Sequence, residues 1–370
     1  MKFTADRNML LREIATSHEI IASKNPISIL SNVLLSAENE TLLIKATDLK
    51  VSFETQIPVD VQTPGSITVI CDKFLNIIRA LPEGSIDFVQ EDSRLAITPS
   101  GGLKTIFFQL ATVSAEKYPE LQIMPEEHTF EIAQKELIEM IDQTIFAVSD
   151  DETRYFMNGV FLDCQDEKDI IMVATDGRRL SYIRKELTSG LKSFRGIIIP
   201  PKVLNLIKKL LPGEGMVTIS ISEKSIFFSF NKQKISSNLI EGQFPDYRRV
   251  VPVSQHNRIE IERKQFIDAI KRVSLLVEQK SRRIYLHALD NSVTLSSEES
   301  EYGVAREQIM CSYEGAETKL ALNYIYLEEP LKQMQDEKIS IKFSEQNKAL
   351  TLVSVPEKDF FHIIMPMQLE

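Results

Sequence analysis

Five histidines, His18, His128, His256, His287 and His362, are the first residues to test for chemistry, and no two of them stand at i, i+3 or i, i+4. A metal or an acid–base pair on one helix face needs that spacing. No GxSxG, HExxH, P-loop or GxGxxG sits at a strand-to-helix turn. Cys71, Cys164 and Cys311 are odd in number and far apart, so neither a disulfide framework nor a CxxC metal site is available, and a reducing cytoplasm fits them. Acidic clusters at Ser149-Asp-Asp-Glu152, Pro125-Glu-Glu127 and Ser297-Glu-Glu-Ser-Glu301 offer carboxylates for a metal or for proton transfer, but solvated loops account for them. With no catalytic constellation, neither an enzyme nor a cofactor or metal is expected.

The elements that would carry a function are therefore the next question. A chain of 370 residues with 43% apolar and 26% charged residues is globular and long enough for two or three domains. Its N-terminal MKFTADRNMLLREI breaks every apolar stretch with a charge, and no run approaches a membrane span, so no targeting or anchoring is expected. Internal repetition is plain. Ala46-Thr47-Asp48 recurs as Ala174-Thr175-Asp176, each ending an apolar strand-like run, and Lys73 to Leu81 recurs as Lys202 to Leu210, each closed by a proline, Pro82 and Pro212. A third copy shows in periodicity: Leu10, Ile14, Ile21; Leu137, Ile141, Val148; and Phe266, Ile270, Val277 share one spacing on a helical face. Helices are predicted over 7–21, 73–81, 135–148, 202–210, 264–277 and 326–334. Alternating runs at 41–54, 86–98, 105–110, 217–230, 284–295 and 339–353 read as half-buried antiparallel strands. The class is α+β, three copies of one helix-and-sheet domain. Proline-bearing connectors at 116–120 and 243–247 set the domains at 1–125, 126–252 and 253–370.

Several segments carry a resemblance when taken in order. These are MKFT, Ile29-Leu-Ser-Asn32, the LPEG of Leu81 to Gly84, Arg154-Tyr-Phe-Met-Asn-Gly159, Ala174-Thr-Asp-Gly-Arg-Arg-Leu180, Glu241-Gly-Gln-Phe-Pro-Asp-Tyr-Arg-Arg-Val250 and Met365-Pro-Met-Gln-Leu369. Together they resemble the bacterial DNA polymerase III beta subunit, the sliding clamp, along the entire chain. The resemblance implies a DNA clamp fold: a head-to-tail homodimer closing a ring of six domains, with helices lining a central hole around duplex DNA. It implies a processivity factor that tethers the replicative polymerase, the clamp loader and other proteins through short motifs, with no catalysis of its own.

Charge agrees with loose encirclement. The six predicted helices together carry +4 against -10 for the chain, which leaves -14 elsewhere. A mildly positive lining surrounds DNA without gripping it, because each strong phosphate contact adds salt-sensitive affinity. The DNA-facing candidates are Lys73, Arg79, Lys202, Lys208, Lys209, Lys271 and Arg272, with Lys24 on a loop the family places beside DNA. By the same resemblance the partner cleft comprises Arg154, Met157, Thr175, Gly177, Arg178, Arg179, Leu180, Pro245, Arg249, Val250, Tyr326, Ile364, Met365, Pro366 and Met367. Its apolar members suit an adaptable groove, while Arg and Thr would fix the peptide's polar atoms. Phe108, Leu275 and Leu276 match the dimer junction. Arg178 stands where the family often has histidine, Gln368 where it often has arginine, and Glu370 is additional, so peptide preference is expected to differ. Two rivals remain: a metal-dependent hydrolase using the acidic loops, and a three-domain scaffold that never closes into a ring.

Overall fold

The structure, a computed structural model, describes residues 1–21, 28–101, 106–187 and 193–369, so Lys24 lies outside the described residues. A strand, a helix, several strands, a second helix and three more strands follow one another three times, with four strands between the helices of the middle copy and five in the other two among the described residues. The first copy runs β1 (Lys2–Asp6), α1 (Arg7–Ile20), β2 (Asn32–Glu38), β3 (Thr41–Thr47), β4 (Val51–Pro58), β5 (Asp60–Thr63), β6 (Gly65–Ile70), α2 (Cys71–Ala80), β7 (Ser85–Glu91), β8 (Arg94–Pro99) and β9 (Phe108–Ser114). The second runs β10 (Thr129–Ala133), α3 (Gln134–Thr144), β11 (Val160–Gln165), β12 (Asp169–Thr175), β13 (Arg179–Glu186), β14 (Ile197–Ile199), α4 (Pro201–Leu210), β15 (Met216–Ile221), β16 (Ser225–Phe230) and β17 (Gln233–Asn238). The third runs β18 (Asn257–Glu262), α5 (Arg263–Ser274), β19 (Arg283–Leu289), β20 (Ser292–Ser297), β21 (Arg306–Met310), β22 (Ser312–Glu314), β23 (Thr318–Asn323), α6 (Tyr324–Gln333), β24 (Lys338–Phe343), β25 (Leu350–Val355) and β26 (Phe360–Ile364). The α+β class and the threefold repetition are as the periodicity predicts. No helix among the described residues is long and apolar enough to cross a membrane.

Packing gathers the chain into two compact units, Met1–Glu131 with Met216–Asn238, and Ile132–Gly215 with Leu239–Glu370. In the first, β17 pairs antiparallel with β4, in a sheet ordered β10-β15-β16-β17-β4-β3-β2-β6-β9-β8-β7-β1-β5. In the second, β13 pairs antiparallel with β26, in a sheet ordered β14-β11-β12-β13-β26-β25-β24-β18-β22, beside a smaller sheet ordered β21-β20-β19-β23. The middle repeat thus contributes strands to both units, and packing units and sequence repeats do not share their limits.

Most of the alternating runs turn out to be hairpins. The runs at 41–54, 86–98, 217–230, 284–295 and 339–353 each hold two strands and a turn, because the turn residues keep the alternation going. The β2–β3, β16–β17 and β19–β20 turns each have two central residues, Asn39-Glu40, Asn231-Lys232 and Asp290-Asn291, all at positive φ. That is the conformation whose twist matches a tight hairpin, and Asn and Asp tolerate it best.

The repeated Ala-Thr-Asp has a structural cause. Thr47 Oγ1 donates to the Val51 carbonyl at 3.0 Å and accepts from Leu49 N–H at 3.0 Å, while Asp48 Oδ1 accepts from the amides of Lys50 and Val51 at 2.9 and 2.7 Å. Thr175 and Asp176 repeat this: Thr175 Oγ1 donates to the Arg179 carbonyl at 2.6 Å and accepts from Gly177 N–H at 3.1 Å, and Asp176 Oδ1 takes the amides of Arg178 and Arg179 at 2.8 and 3.1 Å. The third turn residue has φ 71° at Leu49 and 86° at Gly177. Glycine is at ease there and leucine is not.

The helices bury the predicted faces: Leu10 and Ile14, Leu137 and Ile141, and Phe266 and Ile270 are all buried. Two end several residues earlier than predicted, α3 at Thr144 and α5 at Ser274. In α3 the Thr144 hydroxyl donates back to the Met140 carbonyl at 2.7 Å, and Ile145–Ala147 form a 3₁₀ turn. After α5, Leu275 N–H bonds the Arg272 carbonyl at 3.3 Å in the same tighter pattern. Val148 and Val277 keep the apolar spacing from beyond the helices, since a tighter turn carries the same face onward. Asp48→Ala, which removes an acceptor shared by two turn amides, is expected to lower stability by about 1–2 kcal/mol in urea unfolding; an unchanged midpoint would contradict this account of the repeat.

Candidate functional site

Arg179, the first residue of β13, organises the site. Its side chain is only 10% exposed, and each nitrogen has a partner: Nε donates to Asp176 Oδ2 at 3.1 Å, Nη1 to Glu329 of α6, and Nη2 to the Phe146 carbonyl just past α3. The guanidinium also lies over the rings of Tyr326, 4.7 Å from its centroid, and Phe146, at 5.6 Å. A cation this enclosed must be paired, and the same contacts bind the 175–179 turn to α3 and α6.

The register places Arg179 opposite Ile364, Leu180 opposite Ile363 and Ser181 opposite His362. Side chains alternate between the two faces of a sheet, so Arg179, Ser181, His362 and Ile364 share the face toward the helices. On the other face Leu180 and Ile363 join a buried cluster with Ile171, Val173, Ile198, Phe244 and Tyr247. The Glu241–Val250 segment therefore has two roles. Phe244 and Tyr247 face inward, with Phe244 stacked on Phe161 at 4.7 Å between centroids, while Pro245, Arg249 and Val250 face solvent.

The chain end is pinned. Met365 N–H donates to the Arg178 carbonyl at 2.9 Å and Met367 N–H to the Ala321 carbonyl at 2.7 Å, with Pro366 between. The backbone is fixed, yet the Met365 residue remains 44% exposed. Met157, Thr175 and Leu180 are buried, Tyr326 half-buried, and Gly177 and Arg178 exposed. Arg154 Nε donates to Asp151 Oδ2 at 2.9 Å, and its Nη1 lies 2.8 Å from where a Cβ on Gly177 would fall, so only glycine leaves that arginine its place. The structure thus brings the Arg154–Met157 turn, the 175–180 turn, Tyr326 and the 364–367 tail into one neighbourhood. Thr175 and Arg179, expected to meet a peptide's polar atoms, are instead engaged inside the fold. The outward arginines are Arg154, Arg178 and Arg249.

A second polar network, which sequence reasoning missed, lies behind this surface. His362 is fully buried; its Nδ1 is 3.0 Å from Ser181 Oγ and its Nε2 is 3.1 Å from Gln143 Oε1. Gln143 Nε2 donates to the Gln333 carbonyl at 3.2 Å, so its Oε1 is the acceptor for His362. The imidazole therefore carries its proton on Nε2 and accepts the Ser181 hydroxyl at Nδ1. Burial first, and the Arg179 charge second, push its pKa down to about 3. The one available signal was a histidine inside the apolar run Phe360-Phe-His-Ile-Ile364.

The DNA-facing candidates lie on three helices. Lys73 and Arg79 on α2, Lys202 and Lys209 on α4, and Lys271 and Arg272 on α5 are exposed. Several have acidic neighbours: Lys208 Nζ is 2.7 Å from Asp142 Oδ1, Arg272 pairs with both oxygens of Glu307, Lys73 Nζ is 3.8 Å from Asp72 and Lys271 Nζ 4.0 Å from Asp268. At the candidate junction Leu275 is 80% exposed, Leu276 half-buried and Phe108 half-buried, while neighbouring Phe107 is 56% exposed. The cysteines are free thiols, and burial pushes Cys71 up to about 12. Among the described residues no three His, Cys, Asp or Glu gather as metal ligands.

Family models for the N-terminal, central and C-terminal domains of the DNA polymerase III beta subunit match residues 1–122, 131–246 and 248–368. The chain belongs to this beta sliding clamp family. It is 46% identical to the beta sliding clamp of Treponema pallidum (strain Nichols) over 374 residues, covering 100% of both chains. It is 28% identical to that of Escherichia coli (strain K12) over 371 residues, again covering 100% of both. Among solved structures it matches the sliding clamp of Bacillus subtilis with a TM-score of 0.95 at 26% identity, and that of Pseudomonas aeruginosa bound to griselimycin with 0.94 at 28%, each covering 100% of both chains. The chain is thus a clamp-family subunit of the replicative polymerase and has no catalysis of its own.

The neutral, buried His362 has a consequence for stability. Its folded pKa lies below the unfolded value of about 6.5, so the unfolded chain takes up the proton first and stability falls as pH drops below that value. Between pH 7.5 and 5.5 this histidine is expected to remove about 1.4 kcal/mol, a loss that His362→Gln abolishes. Equal pH slopes for the two proteins in urea unfolding would contradict the assignment.

Proposed function

We propose that two copies of this chain close head to tail into a ring around duplex DNA, and that the surface formed by Arg154–Met157, Thr175–Leu180, Pro245, Arg249–Val250, Tyr326 and Ile364–Met367 receives short segments of the replicative polymerase, the clamp loader and other partners. The observation that carries this reading is the terminal Met365-Pro366-Met367, whose backbone is tied at two amides while a methionine side chain faces solvent. Chain ends fray unless held. A flexible, polarisable side chain on a fixed backbone suits a surface that accepts several apolar sequences. The neighbouring arginines Arg154, Arg178 and Arg249 supply donors for backbone carbonyls or acidic residues at the edge of such a segment. The permanent charge of Arg178 favours partners with an acidic residue at that edge.

DNA is held in this reading by the closed ring, with Lys73, Arg79, Lys202, Lys208, Lys209, Lys271 and Arg272 as its phosphate neighbours. Lys24 belongs to the same proposal. The ring junction uses Phe108 on one subunit and Leu275 and Leu276 on the other. Support comes from the exposed Leu275 and from β21, an edge strand tied to the end of α5 by the Arg272–Glu307 pair. The sequence domains 1–125, 126–252 and 253–370 are the six-domain ring's units, and the assembly works in the cytoplasm beside the chromosome.

Two experiments test the reading separately. Removing Met365 to Glu370 is expected to abolish binding of a polymerase-derived peptide in calorimetry, since buried apolar anchors contribute on the order of 2 kcal/mol or more apiece, while the dimer persists. Unchanged affinity would remove the cleft assignment. Leu275→Glu with Leu276→Glu is expected to yield monomers in sedimentation, because unpaired charge is costly at a buried contact. A dimer that survives both substitutions would place the junction elsewhere.

A further inference from the structure

We propose that His362, Ser181 and Gln143 form a register lock for the β13–β26 pairing, and that this lock positions the walls of the partner surface; the proposal rests on the cleft reading above. The ladder is short, with five pairs: Arg179↔Ile364, Leu180↔Ile363, Ser181↔His362, Tyr182↔Phe361 and Ile183↔Phe360. Three of these join apolar or aromatic side chains, and Tyr182 stacks on Phe361 with 4.6 Å between centroids. Because the side-chain period is two, a slip by two residues would leave every side chain on its own face, so apolar contacts alone discriminate poorly against it.

The Ser181↔His362 pair discriminates well. It is the single pair with polar side chains on both strands, and it lies among Phe146 and Phe360, whose ring centroids are 5.6 and 5.8 Å from that of the imidazole. A two-residue slip would set His362 opposite Ile183 or the alkyl stem of Arg179, away from Ser181 and Gln143. A buried imidazole and a buried amide would then lose their partners. Gln143 anchors the network outside the two strands, since its amide nitrogen is held by the Gln333 carbonyl at the end of α6.

The lock reaches the surface through two residues of chain. Beyond His362 the strand runs through Ile363 and Ile364 into Met365, whose amide meets the Arg178 carbonyl, and Met367, whose amide meets Ala321. A slip of two residues would displace these by about 7 Å along the strand. The tail would then no longer face the 175–180 turn. His362 acts here as a positioning residue and touches no partner itself.

The test separates position from stability. In the variant Gln143→Leu, Ser181→Ala, His362→Phe all three polar groups give way to apolar ones, a replacement that buried polar networks often accept without loss of stability. Affinity of the full chain is read by fluorescence anisotropy with a labelled synthetic peptide carrying the clamp-binding segment of the same bacterium's replicative polymerase. The triple variant is expected to melt near the parent temperature yet bind at least tenfold more weakly. Ser181→Ala alone, which removes one hydroxyl and decides the matter should the triple variant not fold, is expected to stay folded with a melting temperature lowered by only a few degrees and to bind about threefold more weakly. Parent-like affinity in a folded triple variant, or in Ser181→Ala, overturns the lock. The Met365–Glu370 truncation tells the two ideas apart: if it too leaves affinity unchanged, the cleft reading fails; if it abolishes binding, only the lock does.

Discussion

The pairing of one buried guanidinium constrains this half of the molecule. Arg179 opens a strand, follows a tight turn, and faces the end of one helix and the side of another, so the fold must deliver Asp176, Glu329 and the Phe146 carbonyl to a single point. Leaving any one of them out would strand charge away from water, at a cost of several kcal/mol. The short 3₁₀ turn after α3 presents the carbonyl, the Thr175–Asp176 hydrogen bonds fix the turn, and the register opposite Ile364 sets where the guanidinium begins. Burial first, and then the same cation, depress the pKa of His362, so the two polar networks at the β13–β26 pairing are coupled electrostatically.

Much of this was legible in the residues. Ala-Thr-Asp repeats because one hydroxyl and one carboxylate close the same turn twice, and the amphipathic spacing of Leu10, Leu137 and Phe266 locates three equivalent helices. The segment Glu241–Val250 stands out in the sequence by its resemblance to the family, but its division into buried Phe244 and Tyr247 and exposed Pro245, Arg249 and Val250 needs the sheet beneath it. Gln143, Glu329 and His362 were invisible for a physical reason. His362 meets partners 181 and 219 residues away, and no local pattern records such a contact. Helix ends and hairpin turns were misjudged where a turn preserves the apolar alternation or the apolar face, as at Leu49 and Val148.

The helices carry little net charge for the DNA-encircling role proposed for them. The observed helices carry the same total of +4 as the predicted ones, although Asp72 now lies inside α2 and Arg263 inside α5. Asp142 and Glu307 then compensate Lys208 and Arg272 directly. In the proposed ring, a lining that weak gives modest attraction to phosphate and leaves retention to topology. The decisive measurement is retention of loader-assembled protein on closed circular duplex against the same circle after linearisation, at moderate salt and with free protein removed. The account predicts persistence on the circle and loss from the linear form, with Lys73→Ala or Lys209→Ala alone making little difference; equal retention on both forms would contradict it.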